Sequence, residues 1–501
     1  MLNNRLLKPI EMKANSLCGQ RNISMLMDLY ELTMTNGFFL LGKGKEKSVY
    51  DMFYRRNPDN GGFTIFAGLE QVLEFIECFH FTQEDIDYLR GLHLFSEEYL
   101  DFLRDFRFTG DIYAFPEGTI AYPDEPLVTV IAPLIESQVI ETAMLSQLNH
   151  QSLIATKANR IVRAARGKEV ADMGARRAHN ADAAIYGARA AYIGGVSRTA
   201  TVIAGEMFDI PVTGTMAHSW IMAFESEYEA FRAYAGIYGS RSIFLVDTYN
   251  TLESGVPNAI RVFHEVLQPR GERLHGIRID SGDIASLSKK ARKMLDDAGM
   301  TDCLIVASNS LDEGTIGSIL SQGGCIDIFG VGERLITAKS DSTFGGVYKL
   351  TALERNGQWE PKIKISDNVT KITNPGLKSV YRIYNSEGAS VGELITHHSD
   401  TMPDLATLDC VSPDKPWQHV NLDGCHLKPL QVKVMEHGKR LYPKTSLSDI
   451  RDYVNRQLST EVRSEEQRFY NPDSHPLLMS RSYYDMKVDL LEKTENMNRR
   501  Q

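Results

Sequence analysis

From residue 150 to residue 340 the chain alternates short apolar, β-branched runs with longer amphipathic segments. A helix-like stretch at 154–166 precedes the run 170–173, 181–192 precedes 193–195, and 199–208 precedes 210–213. Further on, 225–235 leads to 243–246, 254–267 to 276–279, 283–298 to 304–307 and 313–321 to 326–329. Strand and helix alternating at this spacing predict repeated βαβ units around a parallel sheet. About seven strands in roughly 190 residues favour a closed or nearly closed α/β barrel over an open sheet.

The residues just after each run matter as much as the run itself. In order come Gly174 with Arg176 and Arg177, Thr215 with His218, Asp247 with Asn250, Asp280 with Asp283, Ser308 with Asn309, and Gly330 with Gly332. The carboxyl ends of barrel strands share one face, so these residues are expected to converge there. A single Asp at a strand end is often only a helix cap, and Asp283 reads equally well as one. The recurrence argues for a shared site. Within Ile210-Pro-Val-Thr-Gly-Thr-Met-Ala-His-Ser-Trp220, one His follows Gly214 and Thr215 at an expected helix start. Unpaired N–H groups there attract anions. An imidazole can pass a proton or accept a phosphoryl group near neutral pH. A lone His is more often a buried ring satisfying its own hydrogen bonds; the surroundings favour a functional one here.

The 501 residues are 43% hydrophobic and 24% charged, enough for a large core in two or three domains. Net charge is −10 and no Lys/Arg-rich run occurs, which argues against nucleic acid or an anionic membrane as partner. An anionic substrate must then meet a local cluster, for which Arg176, Arg177 and Arg278 are the candidates. Six scattered Cys without a CxxC pair read as reduced, cytosolic thiols. Cys410, His419, Cys425 and His426 have no common zinc spacing, and His397-His398 reads as solvent-facing. Residues 1–22 lack the apolar centre of a signal peptide, and no window approaches the roughly 20 apolar residues of a membrane span. A cytoplasmic protein is expected.

Seven stretches carry a resemblance: Asp28-Leu-Tyr-Glu-Leu-Thr-Met34, Phe66-Ala-Gly-Leu-Glu70, Gly174-Ala-Arg-Arg-Ala178, Gly214-Thr-Met-Ala-His-Ser219, Asp247-Thr-Tyr-Asn250, Ile277-Arg-Ile-Asp-Ser-Gly-Asp283 and Gly330-Val-Gly332. Together and in this order, they make the chain resemble the nicotinate phosphoribosyltransferases. The resemblance implies transfer of a phosphoribosyl group to nicotinate, coupled to ATP hydrolysis through a phosphorylated His218. It also implies an irregular α/β barrel of type II phosphoribosyltransferases packed on an open α/β sandwich domain. Residues 1–150 would begin the sandwich, 151–343 form the barrel, 344–440 return to the sandwich, and 441–501 make a helical C-terminal arm. A homodimer is implied, with Tyr30 or the Arg55-Arg56 pair serving the partner's site.

The resemblance assigns Tyr30, Thr215 and Arg278 to nicotinate: the ring stacks on Tyr, and Thr and Arg bind the carboxylate. Arg176, Arg177, Asp247, Asp280 and Asp283 suit pyrophosphate and ribose, with Mg²⁺ expected on Asp280 and Asp283. Ser308, Asn309, Ser310, Gly330 and Gly332 suit the sugar 5-phosphate. Glu333 departs from the family, which commonly has Thr after this turn; a carboxylate there must face away or pair with Arg334 or Lys339. Two alternatives stay open: a phosphoribosyltransferase acting on nicotinamide or quinolinate, and a non-catalytic nucleotide-binding barrel.

Overall fold

The computed structural model describes residues 21–365, 372–399, 401–417 and 420–498. A six-stranded parallel sheet lies at the centre of the barrel, in the order Arg198–Thr199, Glu169–Asp172, Ile328–Val331, Leu304–Ser308, Gly276–Ile279, Ile243–Leu245. Val212 adds one parallel bridge to Thr199 at the first edge. Among the described residues no ladder joins Val212 to Ile243–Leu245, so the ring of strands stays open on that side. Ile277, Ile279, Ile305, Phe329 and Val331 have no solvent exposure. Parallel strands covered on both faces read as unbroken apolar runs, and that is why this region is legible from sequence.

Two expected strands give way. The run 193–195 ends the helix Ala181–Ile193, and the strand forms three residues later at Arg198–Thr199. Gly195 turns the chain at φ +111°, and a Cβ on Gly194 would stand 2.3 Å from the Ala155 carbonyl oxygen. The turn is therefore pressed against the long helix Glu141–Ala164, and helix packing overrides strand preference. The run 210–213 shrinks to the single bridge at Val212.

A second, seven-stranded antiparallel sheet is assembled from distant parts of the chain. Lys47–Phe53 lies between Val128–Pro133 and Val347–Arg355, and Asp111–Ala114 pairs with Val432–Glu436. Gln358–Pro361 and Lys439–Arg440 form its edges. A separate five-stranded sheet takes Lys378–Tyr384, Ser390–His397, Cys410–Val411 and His426–Pro429 from the intervening residues and Leu477–Ser480 from beyond them. The 344–440 region thus divides between two sheets. The 441–501 region is not purely helical either, since it supplies Leu477–Ser480 between the helices Leu447–Thr460 and Arg481–Asn498. One continuous core runs from the sandwich into the barrel. Among the described residues no helix is long and apolar enough to cross a membrane.

Candidate active site

Ladder register aligns the strand ends. Leu245 and Val306 both stand opposite Arg278, and Ser308 stands opposite Gly330. Arg278 is the hub. Its Nε donates to Ser308 Oγ at 2.9 Å, Nη1 to Thr215 Oγ1 at 3.0 Å and Nη2 to Asp280 Oδ1 at 2.9 Å. The side chain is only 13% exposed. Ser308 also donates to Asp280 Oδ1. The Asp280 N–H donates to Asp247 Oδ2 at 3.0 Å, and Ser281 Oγ donates to the same oxygen at 2.5 Å. Asp247 Oδ1 is buried without a partner.

His218 opens the short helix His218–Met222. Its Nδ1 is 3.0 Å from Thr248 Oγ1, and its Nε2 is 3.9 Å from Asp280 Oδ2. With 41% of the side chain exposed, the ring faces the mouth of the site. His218, Thr215, Asp247, Asp280, Arg278 and Ser308 are therefore brought together by chain segments up to 93 residues apart, from 215 to 308. Thr248 carried no assigned role in the sequence. Its only signal was membership of the Asp247-Thr-Tyr-Asn250 stretch.

Other expected residues stand differently. Asp283 caps the helix Ile284–Asp297, accepting from the Ser286 N–H at 3.0 Å, so the capping role is real. Asn250 likewise caps the helical segment from Thr251, through the N–H groups of Leu252 and Glu253. Arg176 and Arg177 lie in the exposed turn Ala175–Arg177 after the first barrel strand. That turn is shaped by buried Asp172, whose carboxylate accepts from the Gly174 N–H at 2.8 Å and from Thr199 Oγ1 at 2.7 Å. Burial pushes the Asp172 carboxyl upward from its ordinary range.

Asn309 and Ser310 both take positive φ, +86° and +50°. Such a turn after a strand can present successive backbone N–H groups to an anion. Gly330 lies buried near the end of its strand, where a Cβ would be 2.6 Å from Met173 Sδ. Its lack of a side chain permits close packing on Met173, and it stands in register with Ser308. Gly332 does stand at the strand end, as the residue before Glu333–Ile336. Glu333 pairs with Lys339 at 2.7 Å, while Arg334 is engaged by Asp312.

Tyr30 does not meet this cluster within one chain. It lies on the helix Leu29–Leu40, in a cleft of about 460 Å³ with Gln138, Glu141, Tyr348 and Lys349. Burial and the nearby Glu141 carboxylate raise its hydroxyl pKa, keeping it protonated. Arg56 is held by Asp341, and Arg55 packs over the Phe53 ring. Among the described residues no group of three His, Cys, Asp or Glu side chains is placed to hold a metal. His419, one of the four residues considered for zinc, lies outside them.

A parallel barrel whose strand ends gather an Arg hub, an acidic pair and a His is the architecture of an anion-handling transferase site. The family described as nicotinate phosphoribosyltransferase (NAPRTase) matches residues 168–387, and its N-terminal and C-terminal domain descriptions match 25–149 and 377–487. Nicotinate phosphoribosyltransferase of Bacillus subtilis is 43% identical over 95% of this chain and 96% of its own length. The Caenorhabditis elegans enzyme of that name is 32% identical over 92% of each. The crystal structure of human nicotinic acid phosphoribosyltransferase superposes with a TM-score of 0.83 at 26% identity, covering 93% of this chain and 99% of that one. The chain belongs to the nicotinate phosphoribosyltransferase family. Its fold is the irregular α/β barrel with a sandwich domain that defines type II phosphoribosyltransferases, and it is an enzyme.

Proposed function

We propose that the chain joins nicotinate to 5-phosphoribosyl 1-pyrophosphate, consuming ATP and water and releasing nicotinate mononucleotide, pyrophosphate, ADP and phosphate. This is the first step of NAD salvage from nicotinate. The observation that carries the reading is Arg278, held at the strand ends by Ser308, Thr215 and Asp280. Its planar fork suits a carboxylate, and Thr215 beside it can supply a hydroxyl to the same group. Displacement at the ribose C1 builds positive charge on the sugar, which the nearby Asp280 and Asp247 carboxylates would stabilise. The turn at Ser308-Asn309-Ser310 and Gly332 would hold the 5-phosphate, and Arg176 and Arg177 would meet pyrophosphate.

Mg²⁺, where bound, would screen pyrophosphate charge. The donor set fits such an ion, because magnesium takes one or two carboxylates and completes its shell with substrate oxygens and water. Asp280 Oδ2, the unpartnered Asp247 Oδ1 and the Asp283 oxygen that does not cap the next helix are the oxygens that would hold it. Tyr30 would stack on the pyridine ring in the partner's site of a cytoplasmic homodimer.

Quinolinate would require a denser basic cluster, and uncharged nicotinamide would favour an acidic or amide partner in place of Arg278. Pyrophosphate release measured with nicotinate, nicotinamide and quinolinate separates the three; release with nicotinate alone is expected, and release with either of the others in its place would overturn the choice of acceptor. For ATP coupling, incubation with γ-labelled ATP should give an acid-labile, base-stable adduct on His218. His218→Asn should abolish both the label and the ATP stimulation; a variant labelled as well as the parent would refute the assignment.

A further inference from the structure

The two turns that would cradle the sugar 5-phosphate leave adjacent strands, and the ladder between those strands ends at Ser308 and Gly330. Past that pair, among the described residues no backbone hydrogen bond joins 309–312 to 332–334. Asn309 and Ser310 take positive φ, a conformation that persists in such residues only where neighbours enforce it. Something other than the sheet therefore sets the gap between the turns.

Further along the chain both segments are held by one buried amine. Lys157, with 3% of its side chain exposed, donates to Glu313 Oε1 at 2.8 Å and to Ser340 Oγ at 2.7 Å. Glu313 opens the helix after the first turn, and Ser340 lies beyond the short helix that follows Gly332. The amine also donates to Asp59 Oδ2 at 2.9 Å, on the sandwich side. Nearer to the turns, a side-chain tie spans the gap: Arg334 Nη1 donates to Asp312 Oδ2. The other Asp312 oxygen accepts from the Thr315 N–H at 2.8 Å, which fixes the carboxylate to its own helix.

We infer that Arg334 and Asp312 are positioning residues for the sugar 5-phosphate, locking the two turns into one cradle; this rests on the 5-phosphate reading above. Arg334 stands two residues after Gly332, and Asp312 two after Ser310, so their bond sets the spacing of the donors that the turns present. It also neutralises the Asp312 carboxylate, whose charge alone would oppose a phosphate held between the turns. Because Lys157 secures both segments independently, breaking the pair loosens the cradle and spares the fold. The two side chains are 36% and 25% exposed, so the pair is partly screened by water. An Arg334 that bound phosphate directly would have to share its guanidinium with Asp312. The two roles therefore predict opposite effects of removing the Asp312 charge.

The test uses the full chain and two inhibitors as probes: ribose 5-phosphate, which carries the sugar phosphate, and inorganic pyrophosphate, which represents the leaving group. Arg334→Met keeps an unbranched stem without the charge, and Asp312→Asn keeps a helix-capping oxygen. Each should raise the inhibition constant of ribose 5-phosphate about three- to fivefold, and KM for phosphoribosyl pyrophosphate alike. Pyrophosphate inhibition and KM for nicotinate should stay within about twofold of the parent, with melting temperatures unchanged. The double variant should bind ribose 5-phosphate no more weakly than Arg334→Met, since the effects of directly coupled groups do not add. Parent-like ribose 5-phosphate inhibition in Arg334→Met, tighter inhibition in Asp312→Asn, or additive losses in the double variant would each overturn the inference. So would an equal loss for both probes with a lower melting temperature, the mark of a loosened fold. Ser310→Asp tests the reading beneath it, because a carboxylate in the exposed turn should repel the phosphate. Undiminished ribose 5-phosphate inhibition in that variant would overturn the 5-phosphate reading, and this inference with it.

Discussion

Arg278 makes three hydrogen bonds at once, to Ser308, Thr215 and Asp280, and only a guanidinium has nitrogens spread widely enough to do so. Arg278→Lys keeps the charge and loses the fork. It should lower kcat/KM for nicotinate by an amount equivalent to about 2–3 kcal/mol, the range for hydrogen bonds to charged groups, with circular dichroism unchanged. Unaltered kinetics with nicotinate would remove Arg278 as the carboxylate anchor. At this scale the convergence of these side chains was legible. Asp247, Asp280 and Ser308 end or follow barrel strands, and Thr215 and His218 follow the Val212 bridge, where the barrel rule directs attention. Sequence left two readings open at Asp283 and Gly330, because a cap and a ligand, or a packing glycine and a phosphate glycine, look alike until their neighbours are known.

Among the elements, the helical segment after the strand Ile243–Leu245 packs directly on the end of that strand. A Cβ on Gly255 would fall 1.8 Å from the Val246 carbonyl oxygen, a backbone atom with no freedom to yield. Gly255→Ala should therefore force the helix away from the strand end, costing about 1–3 kcal/mol in the manner of overpacked cores. Asp247 and Thr248 come next after Val246, so turnover should fall with stability. Thermal melting and steady-state assays check both, and a variant unchanged in each would mean that the helix shifts without disturbing the loop. The two strands that periodicity misplaced, at 193–195 and 210–213, lie where a turn is pressed on a neighbouring helix and where the barrel opens. In both places tertiary packing outweighs local preference.

For the whole molecule, the sandwich, the five-stranded sheet and the tail meet around His475, whose side chain is 1% exposed. Its Nδ1 lies 3.0 Å from Glu466 Oε1 and its Nε2 3.3 Å from Glu393 Oε1, while its ring stacks on Tyr122 at 3.6 Å. Burial opposes a charged ring here, but hydrogen bonds and attraction from Glu393 and Glu466 outweigh it and raise the pKa above 6.5. The stabilisation is therefore complete below about pH 6.5, the unfolded value, and is lost as pH rises through the folded one. His475→Gln should cost about 3–5 kcal/mol at pH 6, the range for breaking a buried pair. The gap in melting temperature between parent and variant should narrow toward pH 9. A gap constant across that span would show that the ring is neutral in the folded protein.

Periodicity by itself determined the alternating barrel segment and the convergence of its strand ends. Burial on both faces of a parallel strand writes a local signature, and barrel geometry does the rest. Pairing between Lys47–Phe53 and Val347–Arg355 has no such signature, since antiparallel partners some 300 residues apart share only a hydrophobic alternation common to many strands. The same limit hid the Thr248 contact with His218, the packing of Gly330 on Met173 and the burial of His475 between Glu393 and Glu466. Each depends on which surfaces come to rest against each other, and only the tertiary structure decides that.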